Sequence, residues 1–232
     1  MADKNTAAEI LKLTEIMATL RSPDGCPWDR EQTPESLKPY ILEEAYELIE
    51  AIDSKDVTEI RDELGDLLLQ IIFITQIYSE QNIFGLADVA LSISKKMIRR
   101  HPHVFAGDNA ENHAERWNEI KKQERRSKGQ GNKLADRIPT NLPALKKATK
   151  VSAKMEKVSP ETQVHKILSE FSTLKSLTEQ TPLNQQQIEE TFGDIFFDTV
   201  QLANSLKCDA EDLLRKKTIQ VMTEIDFKKG AI

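Results

Sequence analysis

The chain has 232 residues, 39% hydrophobic and 30% charged, with a net charge of −6 and only two cysteines. That length buries a full hydrophobic core without disulfide staples. The acidic balance excludes a general nucleic-acid binder, and no apolar run reaches the length of a membrane span. Eight glycines and nine prolines are few, which favours helices over a turn-rich β fold. Residues 1–5 are polar and lack the apolar stretch of a signal peptide. Cys26 and Cys208 lie far apart, as in a reduced, cytoplasmic protein with no disulfide frame and no cysteine metal site.

Residues 7–20 place Ile10, Leu13, Met17 and Leu20 on one helical stripe. The run from Arg21 to Asp29, with two prolines and a glycine, breaks the helix and leaves Trp28 in a loop. There the indole either plugs the edge of the core or offers a flat surface to a nucleobase. Thr33-Pro34 has the form of an N-cap followed by proline at the first helical position, and Pro39 restarts the helix that ends near Asp53. Asp56 and Glu59 resemble a capping box at the head of the next helix, residues 57–80. Its broad apolar stripe, Ile60, Leu64, Leu67, Leu68, Ile71, Ile74 and Ile77, predicts a central and largely buried element.

These two helices carry the carboxylates. Residues three and four apart share a helix face, so Glu43, Glu44 and Glu47 fall together on the first helix and Glu63 and Asp66 on the second. Flanking apolar residues (Leu42, Ile49 and Ile52; Leu64, Leu67, Leu68, Ile71 and Ile72) mark both as core-packing. Antiparallel packing would bring up to five carboxylates to one place. Such a cluster destabilises the fold unless a cation neutralises it, and an all-oxygen donor set suits Mg²⁺ rather than Zn²⁺. The competing reading is a solvated helix face.

A helix over residues 86–100 ends in Lys95, Lys96, Arg99 and Arg100. These either complement the helix dipole or grip phosphates. Pro102 breaks the chain within His101-Pro102-His103, where the two histidines cannot share a helix face. A polar helix follows over residues 110–127, with Trp117 and Ile120 on one side. The run Ser127-Lys128-Gly129-Gln130-Gly131-Asn132-Lys133 then reads as a linker, with the boundary near residue 130. Helices are expected over residues 144–156, 160–177, 184–206 and 209–225.

The second half echoes the first. Glu190-Thr191-Phe192-Gly193-Asp194 aligns with Asp62-Glu63-Leu64-Gly65-Asp66 at an offset of 128 residues, and Ser169-Glu170 through Thr173 aligns with Glu43-Glu44 through Glu47 at 126. Glu170 and Asp194 are kept. Ser169, Thr173 and Thr191 replace Glu43, Glu47 and Glu63, and Gln220 and Val221 fall where the first copy has Arg99 and Arg100.

The pattern Glu43-Glu44-x-x-Glu47 followed by Glu63-x-x-Asp66 resembles the metal-binding signature of the MazG nucleoside triphosphate pyrophosphohydrolases. The strings Gly25-Cys26-Pro27-Trp28-Asp29-Arg30-Glu31-Gln32-Thr33 and Arg99-Arg100-His101-Pro102-His103-Val104-Phe105 are similar to that family too. The resemblance is close over the first 130 residues and looser beyond. It implies an all-α fold of two tandem MazG-like helical-bundle units: 1–128 catalytic, 129–143 a linker, and 144–232 a degenerate unit with a structural or dimerising role. It implies Mg²⁺-dependent hydrolysis of a nucleoside triphosphate to the monophosphate and pyrophosphate by a cytoplasmic homodimer that neither binds nucleic acid stably nor enters a membrane. Glu43, Glu44, Glu47, Glu63 and Asp66 would hold metal. Lys96, Arg99 and Arg100 would face the triphosphate, Trp28 would border the base, and Glu44 or Glu47 would serve as general base. The loss of three carboxylates implies that the second unit has lost metal binding and hydrolysis. A non-catalytic helical scaffold that binds nucleotides or another protein is the alternative. A DNA-binding regulator is disfavoured by the charge and the lack of a clear recognition helix.

Overall fold

The computed structural model describes residues 4–106, 113–127 and 133–230. Among them the secondary structure is entirely helical. The chain forms two compact units, Met1–Lys121 and Lys122–Ile232. Residues 128–132, at the start of the expected linker, and the first residues of the expected polar helix, 110–112, lie outside the described residues.

The first unit is built on a helical hairpin. α1 (Lys4–Leu20) leads through a short α2 (Pro27–Glu31) to α3 (Lys38–Ser54), and α4 (Val57–Glu80) follows after two residues. Lys55 closes α3 in the left-handed conformation at φ 62°. The Asp56 carboxylate opens α4 by accepting from the Thr58 and Glu59 backbone N–H groups at 2.8 and 3.3 Å. The expected capping box is only half formed, because the Asp56 N–H donates to Ser54 Oγ at 3.3 Å instead of to Glu59. So short a connection makes α3 and α4 antiparallel neighbours. α5 (Leu86–Arg100), α6 (Pro102–Phe105) and α7 (His113–Ser127) follow.

The core comprises Met17, Leu37, Ile72, Phe73 and Ile77, with Leu13, Leu20, Leu68 and Leu86 against it. It sits where α1 crosses the C-terminal half of α4. The expectation that α4 is buried along its length therefore holds only for that half. Leu64 and Ile71 are exposed on α4, as are Leu42, Ile49 and Ile52 on α3. The apolar stripe is wider than the neighbouring helices of this unit can cover.

Three further expectations are corrected. Trp28 stands on the short α2 rather than in an irregular loop. Pro102 begins a helical turn instead of only ending one, since a proline without an N–H fits the first helical position. Thr33 caps a turn, not a helix: its Oγ1 accepts from the Ser36 N–H at 3.2 Å, Ser36 Oγ accepts from the Thr33 N–H at 3.0 Å, and α3 starts later, at Lys38.

Arg21 ties these elements together. Its guanidinium donates to both Glu80 carboxylate oxygens, each at 2.9 Å, and to the carbonyls of Asp29 and Gln32 on either side of the α2 C-terminus. It also lies over the Phe73 ring, 5.5 Å from the centroid. The Glu80 carboxyl is held below its ordinary value chiefly by the Arg21 hydrogen bonds. Gly25 completes the turn: a Cβ there would lie 2.2 Å from the Leu20 carbonyl oxygen, so only glycine fits.

In the second unit, α8 (Ala144–Ser152), α9 (Pro160–Thr178), α10 (Gln185–Ser205) and α11 (Ala210–Gly230) form the bundle. α9 and α10 make a second hairpin, α8 packs on α10, and α11 rests on both α8 and α10. α8 ends at Ser152, short of the expected residue 156. Leu174, Leu177, Ile195 and Val200 are buried. Asn204 Nδ2 donates to Ser152 Oγ at 3.0 Å, and Ser205 Oγ donates to Gln163 Oε1 at 2.9 Å.

Arg21→Met leaves Glu80 with only the Gln76 amide as donor and removes a donor from two carbonyls. We expect a loss of about 2–3 kcal/mol at pH 7, below the full cost of an orphaned buried charge because Glu80 is partly exposed. The lowered Glu80 value contributes stability above the unfolded carboxylate range, and that contribution disappears as pH falls through the lowered value. Urea melts of wild type and variant should therefore diverge at neutral pH and converge under acid. A constant difference would exclude the ion pair as the source.

Candidate metal and phosphate site

The α3–α4 hairpin brings three carboxylates together. One oxygen each from Glu44, Glu63 and Asp66 lie within 4.8 Å of one another. Glu44 and Glu63 are half-buried and Asp66 is exposed. Helix geometry explains the grouping: Glu63 and Asp66 are three residues apart on α4, and Glu44 lies across the seam on α3.

Glu43 and Glu47 are exposed and flank this trio. Both act on it electrostatically. Burial first, then Asp66, Glu47, Glu63 and Glu43 in turn, push the Glu44 carboxyl above its ordinary value. Burial and then Glu47, Asp66, Glu59 and Asp62 do the same to Glu63. The neighbouring charges acting on each of these two groups are all negative.

Two buried oxygens in this stretch have no hydrogen-bond partner among the described residues: Glu63 Oε2 and Gln70 Oε1. Such atoms are costly unless a ligand satisfies them. Glu63 Oε2 belongs to the trio. Gln70 is buried one turn beyond Asp66 on α4, and its i+4 spacing from Asp66 is the only sequence signal for it. An all-oxygen set with an orphaned buried lone pair fits a hard divalent cation.

The basic residues stand on a different element. Lys96, Arg99 and Arg100 are in the C-terminal half of α5, where Lys96 and Arg100 are half-buried and Arg99 is exposed. The Arg100 guanidinium lies over the Trp117 ring, 5.2 Å from its centroid, and the His101 ring meets the same indole at 5.2 Å. Arg100 is thus held against an aromatic face. α5 packs on α4, the helix that carries Glu63 and Asp66.

Trp28 is 52% exposed, so it does not plug the core. It meets Tyr40 edge to face, with ring centroids 6.1 Å apart. Tyr40 lies one helical turn before Glu44, about 6 Å along the axis, so the exposed indole sits at the end of the hairpin that bears the carboxylates.

A raised carboxyl value means that the folded chain holds more protons than the unfolded one above the ordinary 4.5. The associated stability is complete below that pH and is lost as pH rises through the raised values. In EDTA, Glu63→Gln should melt near wild type at pH 4 and clearly above it at pH 7. A difference in melting temperature that does not change with pH would show that the cluster carries no repulsion.

The sequence model of the MazG nucleotide pyrophosphohydrolase domain matches residues 32–105, a span that holds all five carboxylates and the α5 cations. A protein of Escherichia coli K12 named nucleoside triphosphate pyrophosphohydrolase is 42% identical over 217 residues, 90% of this chain and 82% of its own length. One of Thermotoga maritima, named nucleoside triphosphate pyrophosphohydrolase/pyrophosphatase MazG, is 42% identical over 223 residues, 94% of this chain and 84% of its own length. The nucleoside triphosphate pyrophosphohydrolase of Mycolicibacterium smegmatis is 40% identical over 133 residues, 56% of this chain and 41% of its own. With that identity across most of both chains, and with its acidic hairpin inside the matched span, this chain belongs to the MazG family of nucleotide pyrophosphohydrolases.

Proposed function

We propose that the chain hydrolyses nucleoside triphosphates to the monophosphate and pyrophosphate, with Mg²⁺ held by the first unit. The convergence of Glu44, Glu63 and Asp66 within 4.8 Å carries this reading. The names borne by the E. coli and T. maritima relatives support the substrate class.

In this reading Glu44, Glu63 and Asp66 would hold the ion, with Glu43 beside them. When bound, Mg²⁺ neutralises phosphate charge and lowers the pKa of water. Glu47 is left to take the proton. It is exposed, lies beside the trio and acts on Glu63 more strongly than any other neighbouring charge, which supports that role. Water adds to the α-phosphorus, the bond to the bridging oxygen breaks, and pyrophosphate leaves with that oxygen. Lys96, Arg99 and Arg100 bind the departing phosphates, the two arginines by paired donors. Trp28 stacks on the base, a contact tolerant of base identity.

The second unit has a structural role here, with 129–143 as the connection. Exposed apolar residues on the hairpin of the first unit, Leu42, Tyr46, Ile49, Leu64 and Ile71, support a homodimer. No helix among the described residues is long and apolar enough to cross a membrane. Together with two free cysteines, that supports a cytoplasmic setting. A non-catalytic nucleotide-binding scaffold remains the second reading, favoured by the eroded carboxylates of residues 169–194.

We expect pyrophosphate release from a panel of nucleoside triphosphates with Mg²⁺. Glu63→Gln should reduce kcat by more than the roughly 10–100-fold that loss of an outer-shell partner costs a metal site. Glu47→Gln should lower kcat with little change in KM. Folded wild type that binds Mg²⁺ and nucleotide yet releases no pyrophosphate would favour the scaffold.

A further inference from the structure

The second unit holds a carboxylate cluster that the proposed chemistry does not use. Glu170 on α9 and Asp198 on α10 meet across the α9–α10 seam, and the exposed Asp194 lies one turn before Asp198. Asp198 is 4% exposed and the Glu170 side chain 15%. Burial, and then Asp198 beside it, push the Glu170 carboxyl above its ordinary value. Two acids so enclosed are stable only with a cation between them or a proton shared.

The chain supplies its own cation. Lys166, one turn before Glu170 on α9, brings its ammonium to 2.6 Å from Asp198 Oδ2 and 3.7 Å from Glu170 Oε1. The second Glu170 oxygen, Oε2, is buried without a partner among the described residues. The lysine side chain as a whole stays 61% exposed while its ammonium reaches the buried Asp198 carboxylate.

The internal echo gives this arrangement its meaning. At the offsets already noted, Glu170 corresponds to Glu44 and Asp194 to Asp66. Lys166 then corresponds to Tyr40 and Asp198 to Gln70. In the first unit those two positions hold a ring set against Trp28 and a buried amide. In the second they hold a cation and a carboxylate, at the same place on the same kind of hairpin, where Glu43, Glu47 and Glu63 have no acidic counterpart.

We infer that the Lys166 ammonium is the built-in cation of the second unit: it seats itself between Glu170 and Asp198, lets this hairpin fold without metal, and keeps divalent ions away from those two carboxylates. This inference concerns the second unit alone and does not depend on metal binding by the first. A tethered ammonium neutralises the acids at no entropic cost of capture. It brings one charge and no Lewis-acid centre, so it stabilises without activating water.

The test counts Mn²⁺ bound per full-length chain by electron paramagnetic resonance of the free ion. Lys166→Met, which keeps the stem and removes the charge, should bind one more Mn²⁺ than its parent, saturating below about 1 mM as for a weak carboxylate site. It should melt below the parent in EDTA and recover with Mn²⁺. Lys166→Arg should bind no more than the parent. A folded Lys166→Met with no added Mn²⁺ overturns the inference. If that variant does not fold, Glu170→Gln decides: a count equal to the parent's is expected, and a drop of one overturns it, because Glu170 would then hold metal despite Lys166. The same pairs in a Glu63→Gln background separate the two units. Loss of all parental binding there assigns the parental ion to the first unit, and the gain from Lys166→Met should persist.

Discussion

Carboxylates gathered at a helical seam are the constraint on which both units turn. An antiparallel hairpin with a short connection places chosen positions of two helices side by side, and here those positions are acidic. The trio Glu44, Glu63 and Asp66 faces mutual repulsion and partial burial together, and both effects penalise the charged form. A hydrophobic residue at any of the three positions would relieve the penalty. Three acids there suit a preformed cage whose stability a cation would complete.

The scaffold around that cage is organised to hold its neighbours still. The buried guanidinium of Arg21 joins the end of α1, the C-terminal end of α2 and the last turn of α4 through Glu80. Gly25 lets the chain fold back on Leu20 closely enough for the Cys26 N–H to reach the Leu20 carbonyl at 2.7 Å. Together they fix α2, and with it Trp28, against Tyr40. The exposed indole is therefore held by this turn outside the core.

Much of this was legible in the sequence, and the reasons differ from element to element. The bounds of α4 and α5 follow from local signals. Asp56 caps α4, the Gly85 N–H donates to Asp88 at 3.0 Å at the head of α5, and Pro102 ends it. The acidic face followed from helical spacing alone. Burial did not, because periodicity shows which residues are apolar and not which surface covers them; Leu64 and Ile71 belong to a stripe that the neighbouring helices leave open. Tyr40, Gln70 and Asp198 were missed for a related reason. Each matters through a partner on another element, and no spacing within one helix reveals it. Lys166 was hidden further, since a lysine four residues before a glutamate reads as an ordinary exposed helix pair.

The two hairpins separate what a carboxylate cage needs in order to fold from what it needs in order to react. Folding requires only that negative charge be balanced. A lysine does that, provided its stem is long enough to bring Nζ within 2.6 Å of Asp198 from the preceding turn. Reaction requires a centre that can exchange a water or phosphate oxygen while remaining bound, and an ammonium with its donors directed at carboxylates has no such position. Replacing Tyr40 and Gln70 by their second-unit counterparts, lysine and aspartate, would transfer the stabilising solution into the first unit together with its inertness. The erosion of Glu43, Glu47 and Glu63 in the echo then has a physical account. Once the cation is covalently attached, two enclosed acids suffice, and each additional carboxylate would only add repulsion that a single positive charge cannot offset.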